Sequence, residues 1–399
     1  MKIDEIVIGG TKKRKSRDSR SHRTVQKDFF SSVPEMELKE NNSARIQHLE
    51  DLILWDGSKG AMAAVDKLRQ VEAQPHSVTI KWDGSPAVVF GRNESGEFVL
   101  TDKSGFGAKG YNGRVTSAEE LEQMLLTRGK KDDASRSEFA AKMKDIWSKV
   151  ESVVPADFRG YVLGDLLYFA TPPADNSGKL RFQPNTTEYA VDVNSVVGKQ
   201  IQDSDVGIVV HKYIDTDGKI ANVDVSRFQQ GEALIMPPAV VTKAPGVDLP
   251  EVDEVEKFIK SKANAIDKMF AVPAELKMKD FGQLLYTYIN ASVKSGATGK
   301  YSLQSFMDWL ESNNKVSGAK KQRLAQYLQQ NQEGFAATFE IVTRLQNVKN
   351  AVIKALDAQD ADIEAFTNGE RGGEGYVIDK DVKLVNRAGF TAANFARSK

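Results

Sequence analysis

Four short stretches of this chain carry side chains that could do chemistry or hold a ligand. The first is Ile80-Lys81-Trp82-Asp83-Gly84-Ser85-Pro86-Ala87. His76 to Ile80 alternates and is rich in β-branched residues, Asp83-Gly84 is a turn dipeptide, and Ala87 to Phe90 is a second apolar run. The stretch reads as strand, tight turn, strand. Lys81 falls where strand gives way to turn, between apolar Ile80 and Trp82. Burial among apolar neighbours disfavours the charged amine and lowers its pKa, and a deprotonated amine is a nucleophile. The alternative is a hairpin with a solvated lysine beside its turn. The second stretch, Tyr161 to Phe169, is an apolar strand with one acid inside it, Asp165. Such an acid is unfavourable unless it is paired or holds a ligand. The third is Glu374-Gly375-Tyr376-Val377-Ile378, followed closely by Val382-Lys383-Leu384. The fourth, Asp102 to Arg114, is rich in Gly and carries Lys103, Lys109 and Arg114. Glycine lets backbone amides approach a phosphate and the cations neutralise it; a mobile surface loop is the alternative.

These stretches need elements to hold them. At 399 residues the chain has room for two or three domains with sizeable cores. Residues 1–43 read as a disordered basic tail. Lys12-Lys13-Arg14-Lys15, Arg17, Arg20 and Arg23 are strung on polar residues that cannot order themselves by burial. The tail reads either as an arm that neutralises nucleic-acid phosphates or as a solvated or targeting segment. In residues 44–74, Ile46, Leu49, Leu52 and Ile53 recur at helix spacing; Trp55-Asp56-Gly57 breaks the pattern and Ser58 is placed to cap a second helix. Residues 75–245 are β-rich, with a helical interruption behind a Ser117 cap, and hold Phe182, Tyr189 and His211 in strands; His211 reads either as a donor to phosphate or as a satisfied strand histidine. Residues 246–366 are helical by period, as in Val255, Phe258 and Ile259, and read as an inserted helical domain; 367–399 return to strands.

Composition narrows the chemistry. Lys plus Arg and Asp plus Glu both number 55, so the net charge is zero and any basic surface must be local. The absence of cysteine excludes disulfides, cysteine zinc sites and thiol catalysis. Four histidines scattered at 22, 48, 76 and 211 argue against a histidine metal site. No apolar run is long enough to span a bilayer and no secretory h-region follows Met1, so the expectation is a cytoplasmic protein without membrane partners.

Lys81-x-Asp83-Gly84, then Gly164-Asp165, then Glu374-Gly375 with Lys383 resemble, in order, the motifs of the covalent nucleotidyltransferases: DNA ligases, RNA ligases and capping enzymes. The resemblance covers residues 75–245 and 367–399, and its arrangement is similar to that of ligase-like proteins of large tailed phages. It implies an α+β fold: an antiparallel-sheet nucleotidyltransferase core, an ATP-grasp-like ligase adenylation core, with an inserted all-helical domain. It implies that Lys81 is the nucleophile and that Lys383 contacts the α-phosphate. By the same resemblance Asp83, Gly84, Arg92, Lys103, Asp165, Phe182, Tyr189, Glu374 and Arg387 bind nucleotide, with Phe182 or Tyr189 stacking on the purine and Arg92 or Lys103 holding phosphate. Glu374 and Asp165 would hold Mg2+. The chain departs from the family at Asp165, where a glutamate is usual, and at Asp381, where a second lysine is common; Arg387 is placed to supply the missing charge.

The activity so implied is ATP-dependent ligation of polynucleotide ends, RNA-like by the lack of a C-terminal OB-fold, through a covalent lysyl-AMP. ATP and Mg2+ are the implied cofactors, and RNA or DNA ends the implied partners. Two alternatives stay open. One is a catalytically retired ligase-fold protein that binds nucleic acid or serves as a virion component. The other is a capping-type guanylyltransferase that uses GTP.

Overall fold

The computed structural model of the chain describes residues 47–106, 115–128, 134–246, 250–273, 276, 281–314, 316–359, 361–373 and 375–389. The basic tail, Lys109, Arg114 and Glu374 lie outside the described residues. The molecule is a mixed α/β protein, and its described residues form three sheets, antiparallel but for two strand pairs.

The first sheet runs β1 (Gln47–His48), β14 (Val382–Leu384), β13 (Tyr376–Ile378), β2 (Val78–Ile80). The second runs β10 (Ala233–Met236), β8 (Val206–Ile214), β5 (Gly160–Tyr168), β3 (Ala87–Arg92), β4 (Phe98–Asp102), with β9 (Ile220–Ala221) beside β8. The third runs β12 (Glu370–Arg371), β11 (Ile363–Thr367), β7 (Thr187–Asp192), β6 (Lys179–Phe182).

All three sheets contribute to apolar cores, and the second is buried on both faces along β3 and much of β8. Val78, Ile378, Val382 and Leu384 point from the first sheet into a core shared with α1 (Leu52–Ala73) and the later helices α6 (Pro250–Phe270), α7 (Phe281–Lys294), α8 (Leu303–Ser312), α9 (Gly318–Gln330) and α10 (Gln332–Asp357). The second sheet buries Val88, Phe90, Val162, Leu166 and Val210 against α2 (Ala118–Thr127), α3 (Ala134–Asp145) and α4 (Trp147–Val153). Ser117 caps α2 by accepting from the Glu120 amide, as its position implies. A third apolar cluster joins the second and third sheets around Trp82, Leu167, Phe182, Tyr189 and Val209, beside α5 (Val196–Gln202).

Three expectations are corrected. Residues 80–87 do not close a hairpin: β2 pairs with β13 and β3 pairs with β4 and β5, so the segment crosses from one sheet to another. The early and late helices share one apolar core, so 44–74 and 246–366 are not separate layers. Strands resume before 367, because Ile363-Glu364-Ala365-Phe366-Thr367 alternates and pairs with β7. The break expected near Gly57 is present, with Asp56 and Gly57 non-helical inside α1. The N-terminus so exposed is capped from another helix. Asp267 accepts from the Ser58 amide at 2.9 Å and from its hydroxyl at 2.7 Å.

Candidate active site

Lys81 follows the last residue of β2 and stays on the ladder, its amide donating to the Gly375 carbonyl at 2.9 Å. Register then fixes its neighbours. Thr79, Val377, Lys383 and His48 lie opposite one another across β2, β13, β14 and β1 and share a face. Lys81 is two residues beyond Thr79 and points the same way. Lys81 and Lys383 are therefore on one face of one sheet, two strand spacings or about 10 Å apart in the hydrogen-bonding direction. Between them runs Gly375, at φ +114, where a Cβ would meet the Leu384 carbonyl oxygen at 2.0 Å. Only glycine lets the two strands approach so closely there.

The second sheet contributes the opposing charges. Ala87 lies opposite Asp165, and the Lys103 amide donates to the Ala87 carbonyl at 2.8 Å, which places the end of β4 beside Asp165. Asp165 Oδ2 is 3.0 Å from His211 Nε2. A β-bulge explains that contact. Leu163 pairs with Lys212 and Gly164 with Val210, leaving His211 as the extra residue. Val210 is buried in the helix-covered core, whereas His211 meets Asp165 and Lys212 lies opposite Leu163. The bulge thus turns two successive side chains to the same face.

The electrostatics tie the two sheets together. Burial lowers the Lys81 pKa, with the charges of Asp83 and Asp165 opposing the shift. Burial lowers Lys103 as well, with Asp165 opposing and Lys212 adding to it. Lys383 is pushed down to about 8, first by burial and then by the positive charges of Lys81 and Arg387. His48 is held well below its ordinary value by burial and by the charges of Arg387, Lys349, Lys383 and Lys81, so its imidazole is neutral. Asp83 and Asp165 thus act on Lys81 and Asp165 on Lys103, while the charge of Lys212 reaches both Lys103 and Lys383.

The crossing segment is held from below. The Asp83 amide donates to the Tyr189 hydroxyl at 2.6 Å, Thr186 donates to Asp83 Oδ2 at 3.1 Å, and the Ser85 amide donates to the Leu166 carbonyl at 2.9 Å. Gly84 passes so close to β5 that a Cβ would meet Asp165 Cβ at 2.5 Å and the Leu166 carbonyl oxygen at 2.8 Å. Trp82 points away from Lys81 and is 2 % exposed, stacked on Phe182 at 6.2 Å and tilted on Tyr189 at 4.6 Å.

The structure places several residues differently from expectation. Phe182 and Tyr189 are buried around Trp82, so their rings support the crossing segment and offer no open face to a purine. Arg92 stands five residues along β3 from Ala87, about 17 Å away. Its guanidinium donates to the carbonyls of Pro155, Gly96 and Val154 at 2.9, 3.1 and 3.1 Å, a structural use far from the lysines. Arg387 is buried and pairs with Asp51, and its Nε lies 3.5 Å from Glu50. Lys349 donates to the two Glu50 oxygens at 2.9 and 2.8 Å, completing a buried network behind Lys383. Arg387 therefore acts on Lys383 only through its field. No group of three metal-ligating side chains occurs among the described residues, and Asp165 has His211 as its neighbour. His48 and Lys212 were not legible as site residues. The adjacent polar pair His211-Lys212 inside an apolar strand was the available signal for the bulge.

Among the described residues no helix is long and apolar enough to cross a membrane. No curated protein and no solved structure matches the chain. Residues 42–399 match the model of a family of unknown function, DUF6267, and the chain belongs to that family.

Proposed function

We propose that the protein is an ATP-dependent polynucleotide ligase that works through a covalent lysyl-AMP on Lys81. The observation that supports this most is the pairing of Lys81 with Lys383 on one face of the first sheet, with Lys103 and Lys212 brought in from the second. The neutral Lys81 amine attacks the α-phosphorus of ATP. The nitrogen–phosphorus bond forms as the bond to the bridging oxygen breaks, pyrophosphate leaves and the amine loses a proton. Burial favours the neutral amine that this step needs. Lys383 stabilises the charge on the α-phosphoryl oxygens. The AMP passes to a 5′-phosphate end, and a 3′-hydroxyl then displaces it to seal the strand.

Mg2+ is usually held by one or two carboxylates together with substrate phosphates. Asp83 and Asp165, both close enough to act on Lys81, fit that requirement, and the ion would neutralise phosphate charge there. Glu374 is adjacent to Gly375 in sequence, but lies outside the described residues. The test is incubation with α-labelled ATP and Mg2+. A protein-bound label resistant to denaturation and absent from Lys81→Ala is expected; no label with ATP, GTP or NAD refutes the reading.

A further inference from the structure

The bulge in β8 has no part in the motif resemblance, yet it builds a cationic surface beside Asp165. In a regular strand His211 and Lys212 would point to opposite faces. Here the extra residue sends both toward the side of the sheet that carries Asp165 and Lys103. Val210 and Tyr213 on either side pack into the helix-covered core, which fixes the register of the bulge. Asp165 Oδ2 lies 3.0 Å from the His211 ring nitrogen and so orients the imidazole. Both His211 and Asp165 keep solvent contact, at 33 % and 25 % side-chain exposure, so a ligand reaches the pair from solution.

We propose that His211, Lys212 and Lys103 form a phosphate-binding subsite, with Asp165 as the positioning residue for His211. His211 and Lys212 from β8 and Lys103 from the end of β4 lie on the face that carries Asp165 on β5, and with the imidazole protonated on both nitrogens they offer donors to a group with several acceptor oxygens on one phosphorus. In the ligase reading, on which the choice of ligand rests, the phosphates come either from the β,γ tail of the nucleotide or from the 5′ end of the strand. The bulge thereby separates the phosphates that leave or arrive from the α-phosphorus beside Lys81 and Lys383.

The test is binding of inorganic tripolyphosphate to the full chain by titration calorimetry, with His211→Gln and Lys212→Met compared against the unaltered protein and thermal melting used to verify folding. Each variant is expected to bind about tenfold more weakly. Parallel titrations with ATP against AMP, and with a 5′-phosphorylated against a 5′-hydroxyl oligonucleotide, identify the source. The variants lose the difference within whichever pair the subsite serves. Folded variants that bind tripolyphosphate, ATP and the 5′-phosphorylated strand as the unaltered protein does overturn the subsite. This outcome is separable from failure of the ligase reading. Labelling of Lys81 with unaltered phosphate binding in the variants removes the subsite alone; weakened binding in the variants without any labelling removes the ligase alone.

Discussion

Lys383 faces the same side of one sheet as Lys81, two strands away, and carries a pKa of about 8 because burial and the Lys81 charge both act on it. Two amines on one face of a partly covered sheet repel each other and destabilise the folded chain unless an anion lies between them. Burial makes the Lys81 amine easier to deprotonate.

The stability of the protein should therefore depend on pH through Lys383. Its folded pKa of about 8 lies below the ordinary 10.5, so the unfolded chain binds more protons between those values. Stability then rises with pH across that window, and the penalty is fully present below about 8. Lys383→Met should be more stable than the unaltered chain at pH 7, by roughly 1–3 kcal/mol after allowing for solvent screening. The gain should shrink toward pH 10. Urea unfolding at both pH values measures it; a variant less stable at pH 7 contradicts the account.

Gly84 is required by the nearness of β5. Gly84→Ala should lower stability by about 1–3 kcal/mol, because the new methyl meets Asp165 and the Leu166 carbonyl. It should also reduce labelling of Lys81 by shifting the crossing segment. Unchanged stability and labelling would show that the segment is loose.

Tyr189 supports the segment through its hydroxyl and does not read a base. Tyr189→Phe leaves the Asp83 amide without its acceptor and should cost about 1–2 kcal/mol. The ratio of labelling from ATP and GTP should not change. A variant of full stability with altered nucleotide preference would restore the stacking role.

The buried network behind Lys383 should behave as a unit. Lys349→Met leaves Glu50 without its closest cation and should destabilise by about 3–5 kcal/mol. Lys349→Met combined with Glu50→Gln should cost less than the sum of the two single changes. Additive losses in denaturant unfolding would dissolve the network into independent contacts.

How far the sequence revealed this arrangement depends on the range of each interaction. Alternation, the Asp83-Gly84 dipeptide and the lone acid at 165 are local, and they placed Lys81 at the end of β2 and Asp165 inside β5. The partner of β2 lies almost three hundred residues away, so an apparent hairpin was the natural local reading of what is a crossing between sheets. Phe182 and Tyr189 face Trp82 because two sheets meet there, which no strand pattern specifies. Arg387 looked like a free charge because its partners, Glu50 and Asp51, sit in a short turn of helix at the other end of the chain. His48 acquired its place through a two-residue strand paired in parallel with β14, too short to leave a periodic signal.

Peptide mass spectrometry of the protein after incubation with ATP and Mg2+ bears most directly on whether the Lys81 amine is a nucleophile. The account requires one AMP in phosphoramidate linkage on the peptide containing Lys81, diminished in Lys383→Met. An unmodified Lys81 peptide, or AMP carried on another residue, contradicts it.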